Sequence, residues 1–250
     1  MKHRNLALQQ HLENEHSISI FSTYLREIVY GGIDGIITTF AVVAGFAGAN
    51  STNKLASVGG LAVLVFGIAN LLADGLSMGL GSLLSLRSEQ KAYLRERKKE
   101  EAEINNSTVL EKAETVQILI DNEYAKEDAE AMTELLSKNK QFWIDFMMNY
   151  ELELPDPRGI NPLLNGLITF ISFVVFGSVP LIPYILFTKF DMLTGVNTFN
   201  LTISFVAIAI FMLAVLRART TKESFLKCIL EIGLISSVAA TTAYVVGLLV

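Results

Sequence analysis

Glu96, Glu100 and Glu103 recur at i, i+4 and i+7, which stacks three carboxylates on one helix face. After Asn105-Asn106-Ser107-Thr108, Glu111 and Glu114 repeat the i, i+3 interval. Met147-Met148-x-x-Glu151 then sets two thioethers and a carboxylate within one turn. Like charges at these spacings cost a helix roughly a few tenths of a kcal/mol per pair, and a solvated acidic face is the plain outcome of such a stripe. The methionines change the chemistry. Carboxylate oxygen beside thioether sulfur is a mixed donor set suited to a borderline divalent ion such as Fe²⁺. No Glu-x-x-His pair occurs in this stretch, which argues against a di-iron oxidase.

Asp34, Asp74 and Glu231 stand in apolar surroundings. An ionisable group at the centre of a membrane helix costs about 2.5–3.5 kcal/mol, so each needs a reason. Asp34 lies roughly 9 Å into its span at 1.5 Å per residue. Asp74 and Met78 share a face as i and i+4, with Gly75, Gly79 and Gly81 leaving room for another helix. Asp34 and Asp74 are therefore candidate pathway residues. Asp74 also reads as an N-cap or a packing acceptor, and a methionine in a span is commonly core filler. Glu231, close to the start of its span, can snorkel to the surface and receives no ligand role.

These residues need long helices. Leu61 to Glu103 contains no proline, and its second half is rich in Arg, Lys, Glu, Gln and Ala, so one helix is expected to begin in lipid and end in water. Thr108-x-x-Glu111 reads as a capping box opening the next helix. Ala125–Asn139 is expected to turn Met132, Leu135 and Leu136 inward, and Gln141–Leu152 to form a last helix stopped by Pro155 and Pro157. Spans of about 20 residues are expected over Ile28–Ala49, Ala56–Leu86, Leu163–Phe187, Val196–Leu216 and Cys228–Val250. Gly31 and Gly35 form a GxxxG pair in the first.

The composition agrees with an all-α polytopic membrane protein carrying one helical insert. Of 45 charged residues, 28 fall between Arg87 and Arg158, 17 acids against 11 bases. The net charge of −5 arises there and offers nothing to nucleic acid. The expected organisation is a tail and interfacial helix over 1–27, two spans over 28–86, the insert over 87–158 and three spans over 159–250. His3, His11 and His16 read as part of a solvated tail. Met1–Asn14 is polar, so no cleavable leader is expected. The single cysteine, Cys228, permits no internal disulfide. Eighteen of the 20 lysines and arginines fall on one side of a five-span topology, seven against two without the insert. The N-terminus and the insert are therefore expected in the cytosol and the C-terminus on the far side.

The chain resembles the vacuolar iron transporter family through Glu27-Ile-Val-Tyr-Gly-Gly-Ile-Asp34-Gly-Ile-Ile-Thr-Thr-Phe, Asn70-Leu-Leu-Ala-Asp-Gly-Leu-Ser-Met-Gly79, Phe146-Met-Met-Asn-Tyr-Glu151, Asn165-Gly-Leu-Ile-Thr-Phe170 and Phe176-Gly-Ser-Val-Pro180. The similarity covers most of residues 20–250. It implies five membrane helices, a homodimer with the ion path at the subunit interface, and Fe²⁺/H⁺ antiport out of the cytosol. It implies that Asp34 and Met78 line the path, and that Glu100, Glu103, Glu111, Glu114, Met147, Met148 and Glu151 bind metal in the cytosolic domain. Ser82 departs from the pattern, standing where many members carry glutamate.

The expected function is thus a secondary transporter of Fe²⁺, with Mn²⁺ as a second cargo. It is not expected to be an enzyme, and it needs no prosthetic group. Its partners are divalent metal ions, protons, the bilayer and a second copy. The membrane is the cell membrane if the chain is bacterial and the vacuolar membrane if it is eukaryotic. A membrane-anchored metal sensor or buffer is the alternative, and buried acids in the spans speak against a mere anchor. A redox enzyme lacks haem, flavin and di-iron motifs.

Overall fold

The computed structural model describes residues 23–51, 60–190 and 198–249, the side chains of 187–190 excepted. The three histidines, the apolar positions Ile18 and Phe21 of the interfacial helix, and most of the turn after Asn50 lie outside the described residues. Among those described, the regular elements are all helices, and five are long and apolar enough to cross a membrane. The α-helices of the described residues are α1 (Leu25–Ser51), α2 (Gly60–Asn106), α3 (Thr108–Asp121), α4 (Lys126–Leu136), α5 (Lys140–Tyr150), α6 (Pro162–Ser178), α7 (Ile182–Phe190), α8 (Thr198–Thr221) and α9 (Phe225–Leu249), with the third span running from α6 into α7. The long helix expected from Leu61 is α2, unbroken over 47 residues. The chain forms two compact units, one from residues up to Ser82 together with Leu163–Val250, the other from Leu83–Pro162.

The first unit is built on close helix approach. A Cβ added at Gly31 would lie 2.7 Å from the backbone oxygen of Thr169, and one at Gly35 would strike that of Phe173, so α1 and α6 touch backbone to backbone. Two apolar clusters fill the remaining space. Ile36, Phe40, Val206, Leu213 and Ile232 join α1 to α8 and α9. Val43, Val63, Leu71, Phe173 and Leu181 join α1 to α2, α6 and the segment after it. That segment is a 3-10 turn, Val179–Leu181, whose Pro180 lacks the N–H needed to continue α6. Leu72, Leu76, Leu80 and Leu84 on α2, and Leu226, Leu230 and Leu234 on α9, are exposed at intervals of four. Such stripes suit hydrocarbon rather than water.

The second unit has its own core of Tyr93, Ile104, Trp143, Ile144, Met147 and Met148. Trp143 Nε1 donates to Thr115 Oγ1 at 2.8 Å, tying α5 to α3, and Arg97 pairs with Asp145 at 3.0 Å, tying α2 to α5. The chain leaves α5 through Glu153 at φ 51°, and Leu154 N–H donates back to Met148 O at 2.9 Å. Gln90 Nε2 then donates to Pro157 O at 3.0 Å and Ile160 O at 2.9 Å, holding the exit against α2. Two local expectations are corrected. Thr108 makes no capping box: Ser107 is the N-cap, without a side-chain bond, and the Thr108 hydroxyl donates to Ile104 O at 2.6 Å. Leu135 is exposed, because α4 turns Ala129 and Thr133 to the interior instead.

Candidate metal centre

The turn at Ser107 folds α3 back so that its first glutamate meets the stripe on α2. Ser107 N–H donates to Glu103 O at 2.7 Å and Glu111 N–H to Ser107 O at 3.2 Å. Glu151 arrives from the C-terminal end of α5. Glu100, Glu111 and Glu151 thereby each offer an oxygen within 4.8 Å of the others. The cleft around them measures about 310 Å³ and is also lined by Glu96, Glu103, Glu114 and Lys99. Six carboxylates and one ammonium face a single space. Glu103 and Glu114, both in the expected ligand set, stand on its walls.

Two of the six carboxylates are withdrawn from solvent, while Glu114 and Glu151 stay exposed. Glu100 is 2% exposed and Glu111 6%. No group among the described residues donates to Oε1 of Glu100 or Oε2 of Glu111. A buried, unpaired carboxylate oxygen is costly, and either a proton or a cation relieves it. Without a cation the proton stays: burial first, then the charges of Glu151, Glu111 and Glu103, push the Glu100 carboxyl up to about 8. Burial and the neighbouring Glu114 also raise Glu111, whose shared hydrogen bond with Glu100 works the other way. Glu151 is raised by desolvation and by Glu114, Glu111 and Glu103, with Lys99 opposing. Such a set prefers a divalent cation to full ionisation.

Met147 and Met148 are 0% exposed and pack in the apolar core with Tyr93, Ile104, Trp143 and Ile144. The Met147 sulfur accepts from Thr115 Oγ1 at 3.3 Å. Neither sulfur lines the cleft, whose wall is all oxygen where it carries negative charge. Glu96 belongs to the wall although the expected ligand set omits it; its i, i+4 step to Glu100 is the signal that points to it.

In the first unit, Asp34 and Asp74 are half-buried and close enough for their charges to interact, although they come from α1 and α2. Asn70 Nδ2 donates to Asp74 Oδ2 at 2.7 Å, one turn away on the same helix. Asp74 is therefore an oriented acceptor. Asn70 carries no role in the sequence reading, and its i, i+4 spacing to Asp74 is the available signal. Met78 packs, partly buried, against the cluster that holds Leu71 and Phe173. Ser82 Oγ accepts from Asn165 Nδ2 at 2.8 Å and lies 3.3 Å from Thr169 Oγ1, so this departure from the family pattern is a neutral polar knot with α6. Glu231 is held by Arg217 at 2.9 Å, which explains a carboxylate there without a ligand role.

The sequence model of a family described as the VIT family matches residues 25–248. The vacuolar iron transporter of Plasmodium berghei (strain Anka) is 31% identical over 246 residues, 97% of this chain and 86% of that protein. Vacuolar iron transporter 1 of Eucalyptus grandis is 34% identical over 238 residues, 94% and 91% of the two chains. Vacuolar iron transporter 1 of Arabidopsis thaliana is 30% identical over 238 residues, 94% and 90%.

Proposed function

The chain belongs to the VIT family, and on that footing we propose that it is a secondary transporter moving Fe²⁺, and also Mn²⁺, out of the cytosol in exchange for protons. The observation that carries this reading is the trio Glu100, Glu111 and Glu151, oxygens gathered within 4.8 Å, two of the three carboxylates buried with an oxygen that nothing donates to among the described residues. Such a trio binds either protons or a metal ion, and exchange between the two is its natural chemistry. Glu103 and Glu114 complete the oxygen donors of the receiving site. Met147 and Met148, one turn before Glu151, bias it toward borderline ions if the α5 terminus rotates a sulfur to the cleft.

Within the spans, Asp34, Asp74 and Met78 form the pathway. The two acids carry cargo when ionised and protons when not, and the thioether disfavours hard Mg²⁺ and Ca²⁺. The asymmetry of lysine and arginine supports a cytosolic insert and capture on that side. The names of the plant relatives support a vacuolar membrane, and the family resemblance supports a homodimer.

Purified protein in proteoliposomes tests this. Fe²⁺ uptake should be faster into vesicles with an acidic lumen than into vesicles at equal pH. Binding without any uptake would instead make the chain a membrane-anchored buffer.

A further inference from the structure

Among the described residues, Lys99 is the one base lining the acidic cleft. Its side chain is 68% exposed, and its Nζ lies 3.8 Å from Oε1 of Glu103, an i, i+4 pair along α2. Arg95 holds Glu96 at 2.7 Å on the same wall. The six carboxylates thus fall into two groups. Glu96 and Glu103 each carry a tethered cation, while no ion pair joins Glu100, Glu111, Glu114 or Glu151 to a base among the described residues. The Lys99 charge nevertheless reaches across the cleft to Glu151.

We propose that Lys99 is a tethered counter-cation that a divalent metal ion must displace from Glu103, and that it sets how tightly the cleft holds its cargo. This rests on the reading of the cleft as a metal site. An exposed lysine–glutamate pair is weak and opens readily. A divalent ion brings twice the charge and binds the carboxylate oxygen directly, while the ammonium swings into water on its flexible stem. On release the ammonium returns to Glu103, so the vacated carboxylate regains a counter-charge. Lysine here lowers affinity and favours release, which a carrier needs and a buffer does not.

Calorimetric titration of Co²⁺ into the full-length protein at one pH and ionic strength tests this. Lys99→Gln should bind Co²⁺ about two- to fivefold more tightly, the range an exposed ion pair can set. Lys99→Arg, which keeps the charge, should stay near wild type. In a Glu103→Gln background the gain from Lys99→Gln should largely vanish. Unchanged or weaker binding by Lys99→Gln overturns the proposal, as does a gain undiminished by Glu103→Gln, which would mean general charge repulsion without displacement. Glu100→Gln/Glu111→Gln separates the two levels. If that pair abolishes Co²⁺ binding while Lys99→Gln matches wild type, the metal site stands and the role of Lys99 falls. If the pair leaves binding intact, the metal site falls and takes the counter-cation with it.

Discussion

At the scale of single residues, Glu100 makes the sharpest prediction. Its carboxyl, pushed from an ordinary 4.5 up to about 8, holds a proton in the folded chain over a range where the unfolded chain has lost it. The folded state binds more protons between those values, so stability without metal should fall as pH climbs through that window. Thermal unfolding of the metal-free protein should show a lower midpoint at about pH 8.5 than at about pH 6, and added Co²⁺ should raise the midpoint most at the higher pH. Metal affinity runs the opposite way. Below about pH 8 each ion must expel the Glu100 proton, so apparent affinity should drop up to about tenfold per pH unit. An ordinary glutamate would postpone that loss to near pH 4.5. Met147→Leu/Met148→Leu tests whether a sulfur turns to the cleft when metal binds: the variant should fold at a cost below about 1.5 kcal/mol and, on that reading, weaken Fe²⁺ and Co²⁺ binding more than Mn²⁺ binding. Equal losses for all three ions would make the sulfurs shape the core and leave selection to oxygen.

At the scale of elements, the backbone contact between α1 and α6 predicts an asymmetry among glycines. Gly35→Ala places a methyl against the Phe173 carbonyl and should cost about 1–3 kcal/mol, read as a lowered unfolding midpoint. Gly81→Ala meets nothing within 4 Å and should be tolerated. The helices themselves are legible in the sequence, because span length, hydropathy and the unbroken run from Leu61 are properties of consecutive residues. So is the file of Glu96, Glu100 and Glu103, which needs only the helical repeat. What periodicity does not supply is the meeting of elements. The approach of Glu111 to Glu100 depends on the turn at Ser107, and there tertiary pairing overrides the local capping signal at Thr108. Leu135 departs from its expected place for a related reason. On a short amphipathic helix the small Ala129 and Thr133 pack closer than a leucine, and the stripe rotates toward them. The bonds of Asn165 to Ser82 and of Trp143 to Thr115 join residues 83 and 28 positions apart, beyond any local pattern.

At the scale of the whole molecule, the transport reading draws on two sets of acids. One is the proton-or-metal cleft in the unit from Leu83 to Pro162, and the other is Asp34 with Asp74 among the spans. Asp34→Ala should bring Fe²⁺ flux in proteoliposomes to the level of protein-free vesicles, while the variant stays folded and still binds metal in the cleft. Wild-type flux would remove Asp34 from the path. The exchange itself is tested most directly by a pH-sensitive dye sealed inside proteoliposomes whose cytosolic protein face points outward. On addition of external Fe²⁺ under anaerobic conditions, the lumen should turn alkaline as metal enters and protons leave, and Glu100→Gln/Glu111→Gln should blunt both signals together. Fe²⁺ entering with no change in lumenal pH would contradict the account.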